Sequence, residues 1–138
     1  MSKDERNKRK DLKIMGSLNS FDFEFIRIIP VLNTLNLRDV QIEILPASCL
    51  PKTKISTVIL PASLKKISSK AFYGSAIMSL YIPESVEEIG DYAFANTSTL
   101  TGNIVISDNV TSLGAYAFYQ YPSSTGGQNI RKQSDHYQ

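Results

Sequence analysis

The chain has 138 residues, a formal net charge of +2, 42% hydrophobic residues, one cysteine and one histidine. That is the length of one domain with enough apolar content for a continuous core. The charge is too small to mark a nucleic-acid protein, and no apolar run approaches the ~20 residues that cross a bilayer as a helix. A single cysteine forms no internal disulfide, and a single histidine, His136, in a polar stretch, offers neither a zinc site nor a histidine-based triad.

In chain order, residues 1–13 come first. They hold Lys3, Arg6, Lys8, Arg9, Lys10 and Lys13 against Asp4, Glu5 and Asp11. No apolar segment comes after the early charges, so the pattern is not that of a secretory signal. With no membrane segment either, the sequence by itself predicts a cytoplasmic chain. Residues 1–13 read as a disordered charged arm. Residues 14–31 read as a cap over the first repeat unit, with the alternation Phe21-Asp-Phe23-Glu-Phe25 predicting a strand and Pro30 ending it.

From residue 55 the chain repeats. Leu60-Pro-Ala-Ser-Leu64-Lys-Lys-Ile67-Ser-Ser-Lys-Ala71-Phe72 returns as Ile82-Pro-Glu-Ser-Val86-Glu-Glu-Ile89-Gly-Asp-Tyr-Ala93-Phe94, and again as Ile106-Ser-Asp-Asn-Val110-Thr-Ser-Leu113-Gly-Ala-Tyr-Ala117-Phe118. The starts are 22 and 24 residues apart. A short alternating stretch precedes each copy: Ile55, Val58, Leu60; Ile77, Leu80, Ile82; Leu100, Ile104, Ile106. Leu32, Leu35 and Leu37 show it once more upstream. The last two residues of each set are two apart, so they share one face of a strand. A period in the twenties means a solenoid whose units bury their apolar edges against neighbours.

The earliest unit, residues 32–54, is divergent. Counted from Leu37, Ile44 falls on the Ile position, Ser48 on the Ala position and Cys49 on the Phe position, while Gln41 misfits an apolar site flanked by Val40 and Ile42. The echo of Ile59-Leu-Pro-Ala-Ser63 in Ile44-Leu-Pro-Ala-Ser48 offers a competing register.

The pattern Ile-Pro-x-Ser-Val-x-x-Ile-Gly-x-x-Ala-Phe, with a Leu-x-x-Leu-x-Ile strand before it, resembles the BspA-type leucine-rich repeat, closely over 55–118 and loosely over 32–54. Ser107 for Pro, Ser68 for Gly and Cys49 for Phe depart from it. The resemblance implies a right-handed, β-rich leucine-rich-repeat solenoid of about four rungs of 22–24 residues, spanning 32–122. It also implies a protein-binding role in adhesion or surface recognition, so it points to the cell surface where the missing signal points to the cytoplasm. The repeat carries no catalytic residues.

Residues 123–138 contain almost nothing apolar and read as a flexible polar tail. The unit ending at Phe118 then lacks a successor. Three resolutions compete: a small cap by Tyr119, Tyr121 and Pro122, descent from a longer array, or homo-association through the open rung.

Between the inward strand positions lie solvent-facing columns. One is Asn36, Ile59, Tyr81 and Val105; a second is Thr34, Thr57, Ser79 and Asn103; a third is Asn33, Ser56, Met78 and Thr101. An exposed aromatic flanked by aliphatics and small hydroxyls resembles an interface core. The partner-binding candidates are therefore Ile59, Tyr81, Val105, Thr57, Ser79, Met78 and Asn36. The bland account is that these are ordinary strand formers lining a sheet. Lys65–Lys66 stack by offset on Glu87–Glu88, which fixes register more than it makes a site. Cys49 reads as a buried inert thiol. No catalytic, metal or cofactor residues emerge, and no small-molecule substrate. The alternatives to a protein-binding module are a remnant of a longer array with no function of its own, and a nucleic-acid-associated protein that uses the basic arm.

Overall fold

The structure, a computed structural model, describes residues 11–29, 32–97, 99–100, 104–119 and 130–132. The chain forms β1 (Asp11–Gly16), α1 (Ser20–Arg27), β2 (Thr34–Val40), β3 (Ile44–Leu45), β4 (Thr57–Ile59), β5 (Lys66–Ile67), β6 (Ser79–Tyr81), β7 (Glu88–Ile89), β8 (Ile104–Ile106), β9 (Ser112–Leu113) and β10 (Ile130–Lys132). The strands wind into a β-solenoid of about four turns, the first three giving one strand to each of two walls and the fourth giving β9 to the second wall while its β8 pairs with β10. The first wall is a parallel sheet in the order β1-β2-β4-β6, and the second a parallel sheet in the order β3-β5-β7-β9. Thr34, Thr57 and Ser79 are in register, as are Leu35, Val58 and Leu80. Ile67 pairs with Ile89, and Ile89 with Leu113.

Repetition produces this stacking because each turn presents the same edge to the next. Lys65 N–H donates to Glu43 O, Glu87 N–H to Lys65 O, and Thr111 N–H to Glu87 O. On the third side of each turn, Leu50 N–H donates to Ala71 O, Phe72 N–H to Ala93 O, and Phe94 N–H to Ala117 O. The backbone is satisfied between turns, and the apolar residues close the interior. Leu64, Ile67, Ala71 and Phe72, with Val86, Ala93 and Phe94 below them, are fully buried.

The divergent first turn is a turn, but its frame differs from a count from Leu37. Leu45, not Ile44, pairs with Ile67; Leu45 is fully buried and Ile44 exposed. Cys49 takes the alanine position beside Ala71, and Leu50 takes the phenylalanine position. The reason is one extra residue after Leu37, absorbed by the longer strand β2, which runs to Val40. With that residue counted, Ile42 rather than Gln41 occupies the apolar site, and it is half-buried against the core. The alternative register suggested by the echo at 44–48 does not form.

The flanks differ from expectation too. Phe21-Asp-Phe23-Glu-Phe25 lies in helix α1, not in a strand. Asn19 caps the helix: its side chain accepts from Phe21 and Asp22 N–H, and the Asp22 carboxylate accepts from Asn19 N–H. This reciprocal box fixes a helical start. The helical period then puts Phe23 and Ile26 on one face, both buried in the core. Residues 11–13, expected in the arm, belong to β1, which pairs with β2; Lys13 reaches Asp39 at 3.0 Å. Within the expected tail, β10 pairs in parallel with β8, Ile130 opposite Ile104. The rest of the arm and tail, with Tyr121 and Pro122, lies outside the described residues.

Candidate functional site

The outward face of the first wall follows from strand alternation. Leu35, Leu37, Val58 and Leu60 point inward and are buried, so Asn36 and Ile59 between them point out. Register then lines up Asn36, Ile59 and Tyr81 across three neighbouring strands. Ile59 is 39% exposed and Tyr81 71%. Thr57 stands beside them, half-buried, and pairs with Ser79. Met78, just before β6, is 58% exposed, and its N–H donates to Ser56 O. The Asn36 side chain turns back to accept from Arg38 N–H, which ties it to its own strand.

Val105 does not extend this column by hydrogen bonding. It lies in β8, paired with Arg131 of β10, and no ladder bond joins β8 to β6 among the described residues. The third unit is two residues longer than the second, which loosens the strand junction there. The side chains of Ser79 and Val105, with Thr101 and Asn103, lie outside the described residues.

An open groove of about 650 Å³ runs beside Ile59 and Tyr81. It is lined by Ile59, Ala62, Leu80 and Tyr81, with Arg38 from the first turn and Pro83 and Glu84 from the third. Arg38 stands in β2 at the offset of Pro61 and Pro83, and Glu84 follows Pro83, at the corner where the first wall bends toward the second; none of the columns read from the sequence includes them. The readable signal was Pro61 and Pro83 at equal offsets, which sets that corner. The Arg38 guanidinium makes no ion pair among the described residues. The groove therefore joins a largely apolar lining to charged groups of both signs, Arg38 and Glu84, which suits recognition.

The remaining candidates are structural. Lys65 reaches Glu87 at 3.5 Å and Lys66 reaches Glu88 at 3.6 Å, on the second wall and away from Tyr81. Cys49 is buried, its thiol donating to Ala71 O at 3.7 Å, and loss of solvent pushes its pKa up to about 12. A thiol held so far from ionisation is no nucleophile. Two stretches, Asn96-Thr-Ser and Asn109-Val-Thr, are glycosylation sequons; Asn96 donates to the Tyr73 hydroxyl from a half-buried site, while Asn109 is exposed and donates to Glu84 O. No group of three metal-ligating side chains gathers among the described residues. No helix among them is long and apolar enough to cross a membrane.

No curated protein matches the chain. The family described as BspA type Leucine rich repeat region (6 copies) matches residues 11–126. That span begins at β1 and passes through every full turn of the solenoid, and the chain belongs to this family of BspA-type leucine-rich repeat proteins.

Proposed function

We propose that the chain is a protein-binding module that holds its partner on the outward face of the first wall, at Ile59, Tyr81 and the groove beside them. One observation carries this: Asn36, Ile59 and Tyr81 stand in register, with Tyr81 largely exposed beside the groove. Interface centres are rich in tyrosine, and truncating such an anchor costs ~2 kcal/mol or more. Adhesion or surface recognition is the setting that the family suggests for such binding. Thr57 and Met78 flank this surface, and Ser79 lies in register with Thr57.

The test is a displayed library of random peptides selected on the wild-type chain, with binders then measured on variants. Tyr81→Ala is expected to weaken them at least tenfold with an unchanged thermal melt. Lys65→Ala and Glu87→Ala lie on the other wall and are expected to leave them alone. Binders that survive both Tyr81→Ala and Ile59→Ser, yet are lost when residues 1–10 are removed, would move the function to the basic arm. Lys13 is less available for that role, being paired with Asp39 in β1.

A further inference from the structure

The two ends of the solenoid are finished differently. At the first turn, Leu45 is fully buried. Its counterparts Ile67 and Ile89 are buried as well, but Leu113, at the same position of the fourth turn, is 52% exposed. Beside it Tyr116 is 59% exposed and Tyr119 48%, their rings edge to face at 5.4 Å. A core position and two tyrosines thus lie open at this end, and β9 has no further strand partner among the described residues.

The opposite end is closed by α1, whose Phe23 and Ile26 face the core. Its other face is not polar. Phe21 is 76% exposed, Phe25 59% and Ile28 68%. These positions are four and three apart, so they form one stripe along the helix, opposite Phe23 and Ile26. Solenoid caps ordinarily carry a polar outer face, because an apolar one invites association.

We propose that the chain associates head to tail with a second copy of itself, the Phe21–Phe25–Ile28 stripe of one copy seating on Leu113, Tyr116 and Tyr119 of the next. The two faces belong to opposite ends of the same stack, so one translation along the solenoid axis brings them together. The spacing also fits. β1 extends the first wall one strand beyond β3, and at the other end β8, which lies next to β6 without a ladder bond, carries β10 one strand beyond β9. With β10 of one copy against β1 of the next, β9 and β3 stand three strand spacings apart, about 14 Å. A helix with its side chains is about 10–12 Å across, and α1 stands in that gap. The six side chains present on the order of 700 Å², at about 200 Å² per aromatic ring. Interfaces of that size are weak, so the association is concentration-dependent, and being heterologous it is not limited to two copies. It uses a surface other than the strand face of the first wall and stands or falls separately from it.

The experiment is sedimentation of the full chain from about 5 to about 500 μM, where interfaces of this class form. The wild type is expected to shift from monomer to dimer and longer species as concentration rises. Phe25→Glu, which spoils the helix face, and Leu113→Glu, which spoils the open end, are each expected to stay monomeric. Mixed together, they are expected to form dimers and nothing larger, because one intact helix face meets one intact open end. A wild type that stays monomeric throughout, a single variant that still associates, or a mixture that gives no dimer would each overturn the proposal. If either variant loses its cooperative melt, Phe21→Lys and Tyr116→Lys, at side chains even more exposed, replace them in the same three measurements.

Discussion

The rings of Phe72 and Phe94 lie 5.2 Å apart and 6° from parallel, and Phe94 meets Phe118 at 5.3 Å and 10°. One phenylalanine from each of the last three turns thus builds a column through the third side of the solenoid. Phe94 is covered on both faces and fully buried, whereas Phe118 ends the column and is half-buried. Phe94→Ala is expected to cost about 3–5 kcal/mol, a large part of the ~5–15 kcal/mol that a domain holds. Phe118→Ala is expected to cost clearly less. Denaturant unfolding of both variants checks the order, and equal costs would contradict the column.

Substitutions at the first turn read its frame directly. Cys49 stands where the other turns have alanine, so Cys49→Ala is expected to change stability at neutral pH by about 1 kcal/mol or less. Cys49→Phe, harmless if position 49 were the phenylalanine site, is expected to overpack and cost about 1–3 kcal/mol. Leu50→Ala is expected to cost about 2–5 kcal/mol, as a fully buried leucine should. Urea midpoints of the three variants give the answer, and a tolerated Phe with a tolerated Leu50→Ala would restore the simple count from Leu37.

The same thiol predicts a pH effect of definite sign. Burial raises the Cys49 pKa from 9.0 to about 12. Between those values the unfolded chain loses the thiol proton and the folded chain keeps it, so the folded state binds more protons and its stability falls as pH rises. Relative to Cys49→Ala, the wild type is expected to lose about 2 kcal/mol by roughly pH 10.5. Comparing the two proteins cancels the tyrosines and lysines that titrate in the same range. Parallel stability curves from about pH 8 to 11 would show that the thiol reaches solvent.

Gly90 sits where a turn passes close to the one before it. A Cβ there would lie 2.6 Å from Ser69 N and 2.9 Å from Ser68 C, both backbone atoms that cannot swing away. Gly114 faces the backbone of Gly90 and Asp91 in the same way. Gly90→Ala is therefore expected to force the second and third turns apart and cost about 1–3 kcal/mol. Gly16→Ala meets no atom within 4 Å and strains only its own backbone at φ 90°. Thermal melts compare the two, and a neutral Gly90→Ala would mean that the turns are free to separate.

The ion pairs on the second wall are expected to matter little. Lys65, Glu87, Lys66 and Glu88 have side chains 45–53% exposed, and such pairs contribute roughly 0.2–1 kcal/mol. A double-mutant cycle on Lys65 and Glu87 is expected to give a coupling within that range, falling further in about 1 M salt.

Most of the solenoid was legible because its evidence is periodic. Leu60, Leu64, Ile67, Ala71 and Phe72 recur at fixed offsets, and each recurrence corrects chance matches in the others. Where the period broke, so did the reading. A single added residue after Leu37 moved Leu45, Cys49 and Leu50 by one place, and only hydrogen bonding to the next turn reveals where a bulging strand absorbs it. Helix α1 was hidden because alternation at Phe21, Phe23 and Phe25 mimics a strand. The signal that could have found it is the Asn19-x-x-Asp22 capping box. Strand β10 escaped notice because a parallel strand of three residues needs no apolar pattern when its backbone does the pairing. The strand-face column was readable at Asn36, Ile59 and Tyr81, since register follows from the period. The groove rim at Arg38 and Glu84 was not, because corners join residues whose offsets differ.

The unequal burial of Leu45 and Leu113 gives the molecule a direction. Every turn is held by its neighbours alone, so loss of structure spreads from whichever end is least supported. Amide protons of β9 should exchange first and those of β5 and β7 last, with β3 protected under its helix. Unfolding then peels turn by turn from the Leu113 end.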